Sequence, residues 1–256
     1  MERVNIFVPI YFREPVVKEC VTSLIKLCQS DSPKYATKII LIDNRSNDEL
    51  RDWLLQQSYD NEVVETELLD YNMGKGCAIN KMAEKYSDFD YLISCDSDIK
   101  HLTQGWADKL VNAYVRLPNF GMVSPKYHGR HNPMPPQPRK ITIPLNSDGP
   151  EIICHFGGEV AGGCFVTDAI SWSTLGGYID RKYGGLDGLY RIRITKELGK
   201  QCGYVDHITV EHHDGREYYP NYFQWKIEIQ RHLSRMGIRA DPDMADFADA
   251  NVKDLS

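Results

Sequence analysis

A chain of 256 residues is long enough for one large α/β domain or two small ones, and its 42% hydrophobic content supports a real core. A net charge of −6 argues against a broad, non-specific grip on nucleic acid, and no apolar run approaches the ~18 residues of a membrane span. Seven cysteines without a CxxC pair argue against a disulfide scaffold or a zinc cluster and for a reducing, cytoplasmic compartment.

Val4–Pro9 reads as a buried first strand, entered with no signal-peptide layout before it. Pro15 suits the first turn of a helix, and Val16, Cys20, Val21, Leu24 and Ile25 recur at helical spacing. Thr37–Asp43 is a second β-rich run. The turn and capping residues Asn44–Asp48 follow it, and then a helix through Leu50, Trp53, Leu54 and Leu55. Val63–Leu69 is a third strand, Gly76–Tyr86 a helix and Phe89–Cys95 a fourth strand. Trp106, Leu110, Val111 and Val115 form a helical stripe, and Gly121–Pro125 is a short strand.

Residues 127–150 carry Pro133, Pro135, Pro136 and Pro138 together with Arg130, Arg139 and Lys140. This is expected as a Pro-rich flexible loop, either a lid facing an acceptor or an ordinary surface excursion. Beyond it come a strand at Ala161–Val166, a helix at Asp187–Leu198 and a strand at Tyr204–Glu211. A last helix holds Phe223, Trp225, Ile227, Ile229 and Leu233, and residues 241–256 form an acidic tail. Strands alternating with helices predict a mostly parallel sheet covered on both faces, with ligands gathered outside its C-terminal strand ends. A single domain over 1–240 is expected, with 1–126 and 151–240 as its two halves.

Asp96 and Asp98 stand one residue apart where the fourth strand emerges. In extended backbone, residues i and i+2 point to the same side. Two close carboxylates repel unless a cation or several donors lie between them, and hard oxygen ligands suit Mg²⁺ or Mn²⁺. The pair therefore reads as a metal–diphosphate site, with a solvated turn as the alternative for an isolated match.

The order of the segments resembles the inverting family 2 glycosyltransferases. Val8-Pro9-Ile10-Tyr11 is similar to that family's opening Val-Pro-x-Tyr, and Ile42–Asp48 to its Asp-Asp-Gly-Ser-x-Asp turn. Asn72–Asn80 resembles Asn-x-Gly…Ala-Arg-Asn, and Asp96-Ser97-Asp98 falls where the family carries Asp-x-Asp. Gly176–Asp180 resembles Gly-Gly-Phe-Asp, and Leu186–Arg193 resembles Glu-Asp-x-Asp-Leu-x-x-Arg. Phe12, Asn44, Arg45, Ile79, Leu186 and Leu189 depart from those patterns.

The resemblance implies a GT-A, Rossmann-like α/β fold: a mostly parallel sheet flanked by helices, in a single domain with a C-terminal acceptor-facing half. It also implies inverting, metal-dependent transfer of a sugar from a nucleotide-sugar, a UDP-sugar being favoured, to a hydroxyl of a glycan, lipid-linked sugar or protein. Mn²⁺ or Mg²⁺ would be the cofactor. By resemblance, Asp187 is the general base, and Pro9, Tyr11, Asp43, Asn72, Gly74, Lys75, Asp96, Ser97 and Arg193 line the nucleotide-sugar site. Asp98 and His212 would hold the metal, with His213 the alternative imidazole.

Each role has a structural rival: Asp43 and Asp187 as helix caps, Tyr11 as packing, Lys75 as a solvated turn residue, Arg193 as a structural ion pair. Gly162 and Gly163 either leave room for an acceptor sugar or permit tight strand packing. Two other functions compete: a sugar nucleotidyltransferase, and a non-catalytic nucleotide-sugar-binding module.

Overall fold

The computed structural model describes residues 1–28, 32–128, 137–144, 151–179 and 186–213. The helix expected around Phe223–Leu233, the acidic tail and Pro133–Pro136 lie outside the described residues.

Strand β1 (Arg3–Ile10) is buried on both faces. Val4, Ile6, Val8 and Ile10 enter one core with Val17, Val21 and Leu24 of helix α1 (Glu14–Cys28), while Phe7 enters the opposite core. Strand β2 (Ala36–Asp43) leads into helix α2 (Asp48–Asp60), which starts where the Asn47 side chain accepts from the Leu50 N–H. Strand β3 (Val64–Leu68) precedes helix α3 (Lys75–Lys85), whose Ala78, Ile79, Met82 and Ala83 fill the second core. Strand β4 (Tyr91–Cys95), the short β5 (Ile99–His101), helix α4 (Trp106–Val115) and strand β6 (Phe120–His128) follow.

The second half contains β7 (Arg139–Ile143), β8 (Ile152–Phe156), β9 (Cys164–Asp168), helix α5 (Ala169–Leu175), helix α6 (Leu186–Glu197) and the long β10 (Gln201–His212). All ten strands belong to one sheet, ordered β3-β2-β1-β4-β9-β6-β10-β8-β7, with β5 paired to β10 off that line. The chain leaves β1 toward β2 and β3, then returns to β4 on its other side, so the switch in strand order falls between β1 and β4. The four strands β3-β2-β1-β4 are mutually parallel. Beyond them the sheet is mixed, with β9 antiparallel to both β4 and β6, and β7 and β8 antiparallel as well.

The structure adds elements the periodicities did not show: β5, β8 and α5. It also corrects the Pro-rich loop. Arg139, Lys140 and Ile141 are paired residues of β7, aligned with Phe156, His155 and Cys154 of β8. Sheet pairing satisfies backbone polar groups that a loop would leave to water.

Candidate active site

The carboxyl ends of β1, β2 and β4 open on the same end of the sheet, at the switch point. After β4, the Ile99 N–H donates to the Asp96 carbonyl at 3.2 Å, closing a tight turn over Asp96-Ser97-Asp98. After β1, Phe12 and Arg13 both adopt positive φ, 48° and 57°, a costly conformation for two successive non-glycine residues. The Phe12 N–H is held by Ser46 Oγ at 3.0 Å. The turn brings the Arg13 guanidinium to 3.0 Å from Asp98 Oδ2, where both side chains are largely buried.

Asp43, at the end of β2, is fully buried. Its Oδ1 accepts the Ser46 N–H at 2.9 Å, and its Oδ2 lies 3.3 Å from Arg51 Nε. It therefore shapes the turn before α2, while Asn47 caps the helix itself. Asn44 Oδ1 accepts the Met73 N–H at 3.1 Å, and Asn72 Oδ1 accepts the Gly74 N–H at 2.8 Å. These two amides fix the loop that delivers Lys75.

Lys75 Nζ sits 2.6 Å from Asp96 Oδ1 and 2.8 and 2.9 Å from the two oxygens of Asp187. Burial would favour losing the proton, but Asp187 and Asp96 outweigh it and hold the Lys75 pKa well above the ordinary lysine value. Asp96 is pushed up to about 6, chiefly by burial and further by Asp187 and Asp98, with Lys75 opposing. Asp187 lies in the first turn of α6 and also accepts the Tyr178 hydroxyl at 2.6 Å. The space beside Gly162 is filled by this residue: a Cβ built there would fall 1.9 Å from Asp187 Cβ. One built on Gly163 would lie 2.7 Å from the Tyr127 hydroxyl. Both glycines therefore permit close packing against the site.

At the end of β10, His212 Nε2 lies 3.6 Å from Asp98 Oδ2, whereas His213 Nε2 turns to Glu19 at 3.2 Å. A carboxylate and an imidazole this close are an oxygen–nitrogen donor pair of the kind Mn²⁺ accepts, so Asp98 and His212 fit such an ion. Ser97 is buried within the turn. Pro9 is paired opposite Ile42 at the end of β1, and the Tyr11 ring meets Phe12 edge-on at 4.6 Å.

The Arg193 guanidinium does not join the cluster of Lys75, Asp96 and Asp187. It donates to the carbonyls of Leu175 (2.6 Å) and Gly177 (3.2 Å) and pairs with Glu197 at 2.8 Å, tying down the end of α5. Of the two readings of Arg193, these contacts are those of the structural ion pair. Arg13, Arg51 and Tyr178 were not singled out from the sequence. Only Tyr178 carried a usable signal, a hydroxyl where the Gly-Gly-Phe-Asp pattern has none.

Behind Asp96, the Cys95, His101 and Cys164 side chains meet, with Cys95 Sγ 3.4 Å from His101 Nε2. Burial holds His101 down at about 3, and its ring stacks on Trp106 at 3.8 Å, so it packs as a neutral core group.

The model of glycosyl transferase family 2 matches residues 5–167, well over half of the chain, from within β1 to within β9. The chain belongs to glycosyl transferase family 2. Glycosyl transfer is the reaction for which that family is named. The fold agrees with solved structures of low sequence identity. One is the mannosyltransferase PcManGT from Pyrobaculum calidifontis in complex with GDP-Man and Mn²⁺ (TM-score 0.63, 17% identity, 90% of this chain and 61% of that one). A second is GalNAc-T7 with UDP, GalNAc and Mn²⁺ (0.60, 18%, 82% and 43%). A third is S. aureus TarS 1-349 in complex with UDP-GlcNAc (0.58, 16%, 82% and 58%). The chain thus spans between 37% and 62% of the length of these solved structures of similar fold. No curated protein sequence matches it. Among the described residues, no helix is long and apolar enough to cross a membrane.

Proposed function

We propose that this chain transfers a sugar from a nucleoside-diphosphate sugar, a UDP-sugar by preference, to a hydroxyl of a glycan, lipid-linked sugar or protein, with inversion at the anomeric carbon. One observation carries the reading: a single ammonium group, Lys75 Nζ, touches both Asp96 from the end of β4 and Asp187 from the start of α6. Residues over 90 positions apart thereby meet at the switch-point end of the sheet, where α/β sheets take their ligands.

The acceptor oxygen attacks the anomeric carbon as the bond to the β-phosphate oxygen breaks. The nucleoside diphosphate leaves with the bonding electrons, and the acceptor proton passes to Asp187. A divalent cation, Mn²⁺ or Mg²⁺, would be held by Asp98 and His212 and would supply positive charge to the departing diphosphate. Asp96 and Ser97 line the donor side of the turn, and Asp43, Asn72 and Gly74 shape the nucleoside end with Pro9 and Tyr11. Lys75, between Asp96 and Asp187, would divide its charge between these carboxylates and the diphosphate once a donor binds. The seven cysteines are all free thiols, which suits a reducing, cytoplasmic setting.

Release of UDP from UDP-GlcNAc and of GDP from GDP-mannose, each with Mn²⁺, tests the reading. Asp98→Ala and Asp187→Asn should each lower the rate by roughly a hundredfold or more. Unchanged release by Asp98→Ala would reject the metal assignment.

A further inference from the structure

The Asp187 carboxylate does not stand alone. Its Oδ1 accepts two bonds, from the Tyr178 hydroxyl at 2.6 Å and Lys75 Nζ at 2.8 Å, and its Oδ2 accepts Lys75 at 2.9 Å. Tyr178 is immobilised at three levels. Its backbone is gripped by the Asn80 amide, which accepts the Tyr178 N–H at 3.0 Å and donates to the Tyr178 carbonyl at 2.8 Å. Its ring is packed against Phe165, Trp172 and Tyr190, with centroids 6.4, 5.3 and 5.6 Å away. Its hydroxyl also meets Ser94 Oγ, on β4, at 3.0 Å. Only 2% of the residue is exposed.

The preceding turn explains why Tyr178 reaches this place. Gly176 and Gly177 both have positive φ, and a Cβ on Gly177 would strike Asn80 Oδ1 at 2.5 Å. The Gly-Gly pair thus lets the chain pass close enough to Asn80 for the phenol to point at Asp187. Burial pushes the Tyr178 pKa well above its ordinary value, so the phenol stays protonated and can donate its one proton to Asp187, with Ser94 as the donor to the phenol oxygen.

Resting on the reading of Asp187 as general base, we propose that Tyr178 is a positioning residue for it. Tyr178 and Lys75 both hold Oδ1, while Oδ2, bonded to Lys75 alone and lying beside Gly162, is the oxygen that takes the proton of the attacking hydroxyl. A general base must stay within hydrogen-bond reach of that proton, and small misplacements are expensive in rate. The sequence departs from the Gly-Gly-Phe-Asp pattern by this hydroxyl and by the additional Ile179, and it carries Leu186 where the Glu-Asp-x-Asp pattern has an acid beside the base. The phenol supplies Asp187 with an ordering contact from the Gly-Gly turn.

Tyr178→Phe removes one oxygen and keeps the ring, so it separates positioning from packing. With UDP-GlcNAc and GDP-mannose as donors, Mn²⁺ present and water as acceptor, nucleotide release by Tyr178→Phe should fall roughly tenfold to a hundredfold. Its KM for donor should stay within about twofold, and the solvent deuterium isotope effect on kcat should rise. Ser94→Ala should show a smaller loss of the same kind. Wild-type kcat and isotope effect in Tyr178→Phe, alongside an inactive Asp187→Asn, would overturn this inference and leave the base assignment standing. Full activity of Asp187→Asn would instead remove the base assignment. Should wild type release nucleotide from neither donor, urea unfolding of Tyr178→Phe, Asp187→Asn and the double variant decides: coupled effects are expected, and strictly additive ones refute the contact.

Discussion

At the scale of single residues, the site is held together by side chains whose partners sit far away in sequence. Lys75 bonds a carboxylate 112 positions away. Arg13 meets Asp98 through a turn whose two positive φ values give no local sequence signal. The family resemblance suggested a nucleotide-sugar contact for Lys75 and for Arg193, with a solvated turn residue and a structural ion pair as their rivals. The first now stands between two carboxylates, and the second closes the end of α5. Gly162 shows how steric fit places a reacting group. Its missing Cβ is the space that Asp187 occupies, so Gly162→Ala should displace the carboxylate by about an ångström and lower nucleotide release by roughly a hundredfold. The fold should survive, because the intruding methyl meets one side chain at the rim of the sheet. Circular dichroism and the rate measured together check this, and an unimpaired rate would show that Asp187 does not act from this position.

At the scale of elements, amphipathic spacing exposed α1 to α4 and α6, and alternating or continuous apolar runs exposed β1 to β4, β6, β9 and β10. Helix α5 escaped because seven residues give too short a window, and because what starts it is a capping side chain: the Asp168 carboxylate accepts the Ser171 N–H at 2.6 Å. That carboxylate also accepts Ser171 Oγ at 2.7 Å, Lys200 Nζ at 3.0 Å and the Tyr114 hydroxyl. Burial alone would raise the Asp168 pKa, but these donors outweigh it and hold it at about 2, below the ordinary 3.8. A depressed carboxylate stabilises the fold above its unfolded pKa, and that contribution is lost as pH falls toward the folded value. Wild type should therefore lose roughly 2 kcal/mol between pH 5 and pH 2 through this group. Asp168→Asn should be less stable at pH 7 and should lack that part of the acid decline in urea midpoints. Identical acid profiles would contradict it. Strand β7 escaped for a different reason. Arg139, Lys140 and Ile141 are exposed, so no inward face marked them, and only pairing with β8 made them a strand.

At the scale of the whole molecule, β9 joins the two halves by running antiparallel between β4 and β6. Phe165 on β9 is fully buried in the core that contains Phe7 and Ile42 of the first half and Tyr190 and Ile194 of the second. Phe165→Ala should cost about 3–5 kcal/mol and lower the thermal midpoint of the sheet as a unit, visible as one shifted calorimetric transition. Two separated transitions would show that the halves are stabilised independently. The same strand pairing carries Asp187 toward Asp96, since the Asp96 N–H donates to the Gly163 carbonyl at 2.6 Å where β9 begins.

By itself the sequence determined the α/β class, the alternation of elements through β4, the Asp-x-Asp turn at a strand end and the carboxylate at the start of α6. Each of these is written in local periodicity or in a short run of residues. Only the tertiary structure decided that β9 turns the sheet mixed, that His212 rather than His213 faces Asp98, and that Arg193 leaves the site while Tyr178 and Arg13 enter it. Those outcomes depend on strand register and on side-chain contacts across about ten to a hundred residues of chain, where the free energy of packing, rather than local propensity, selects the partner.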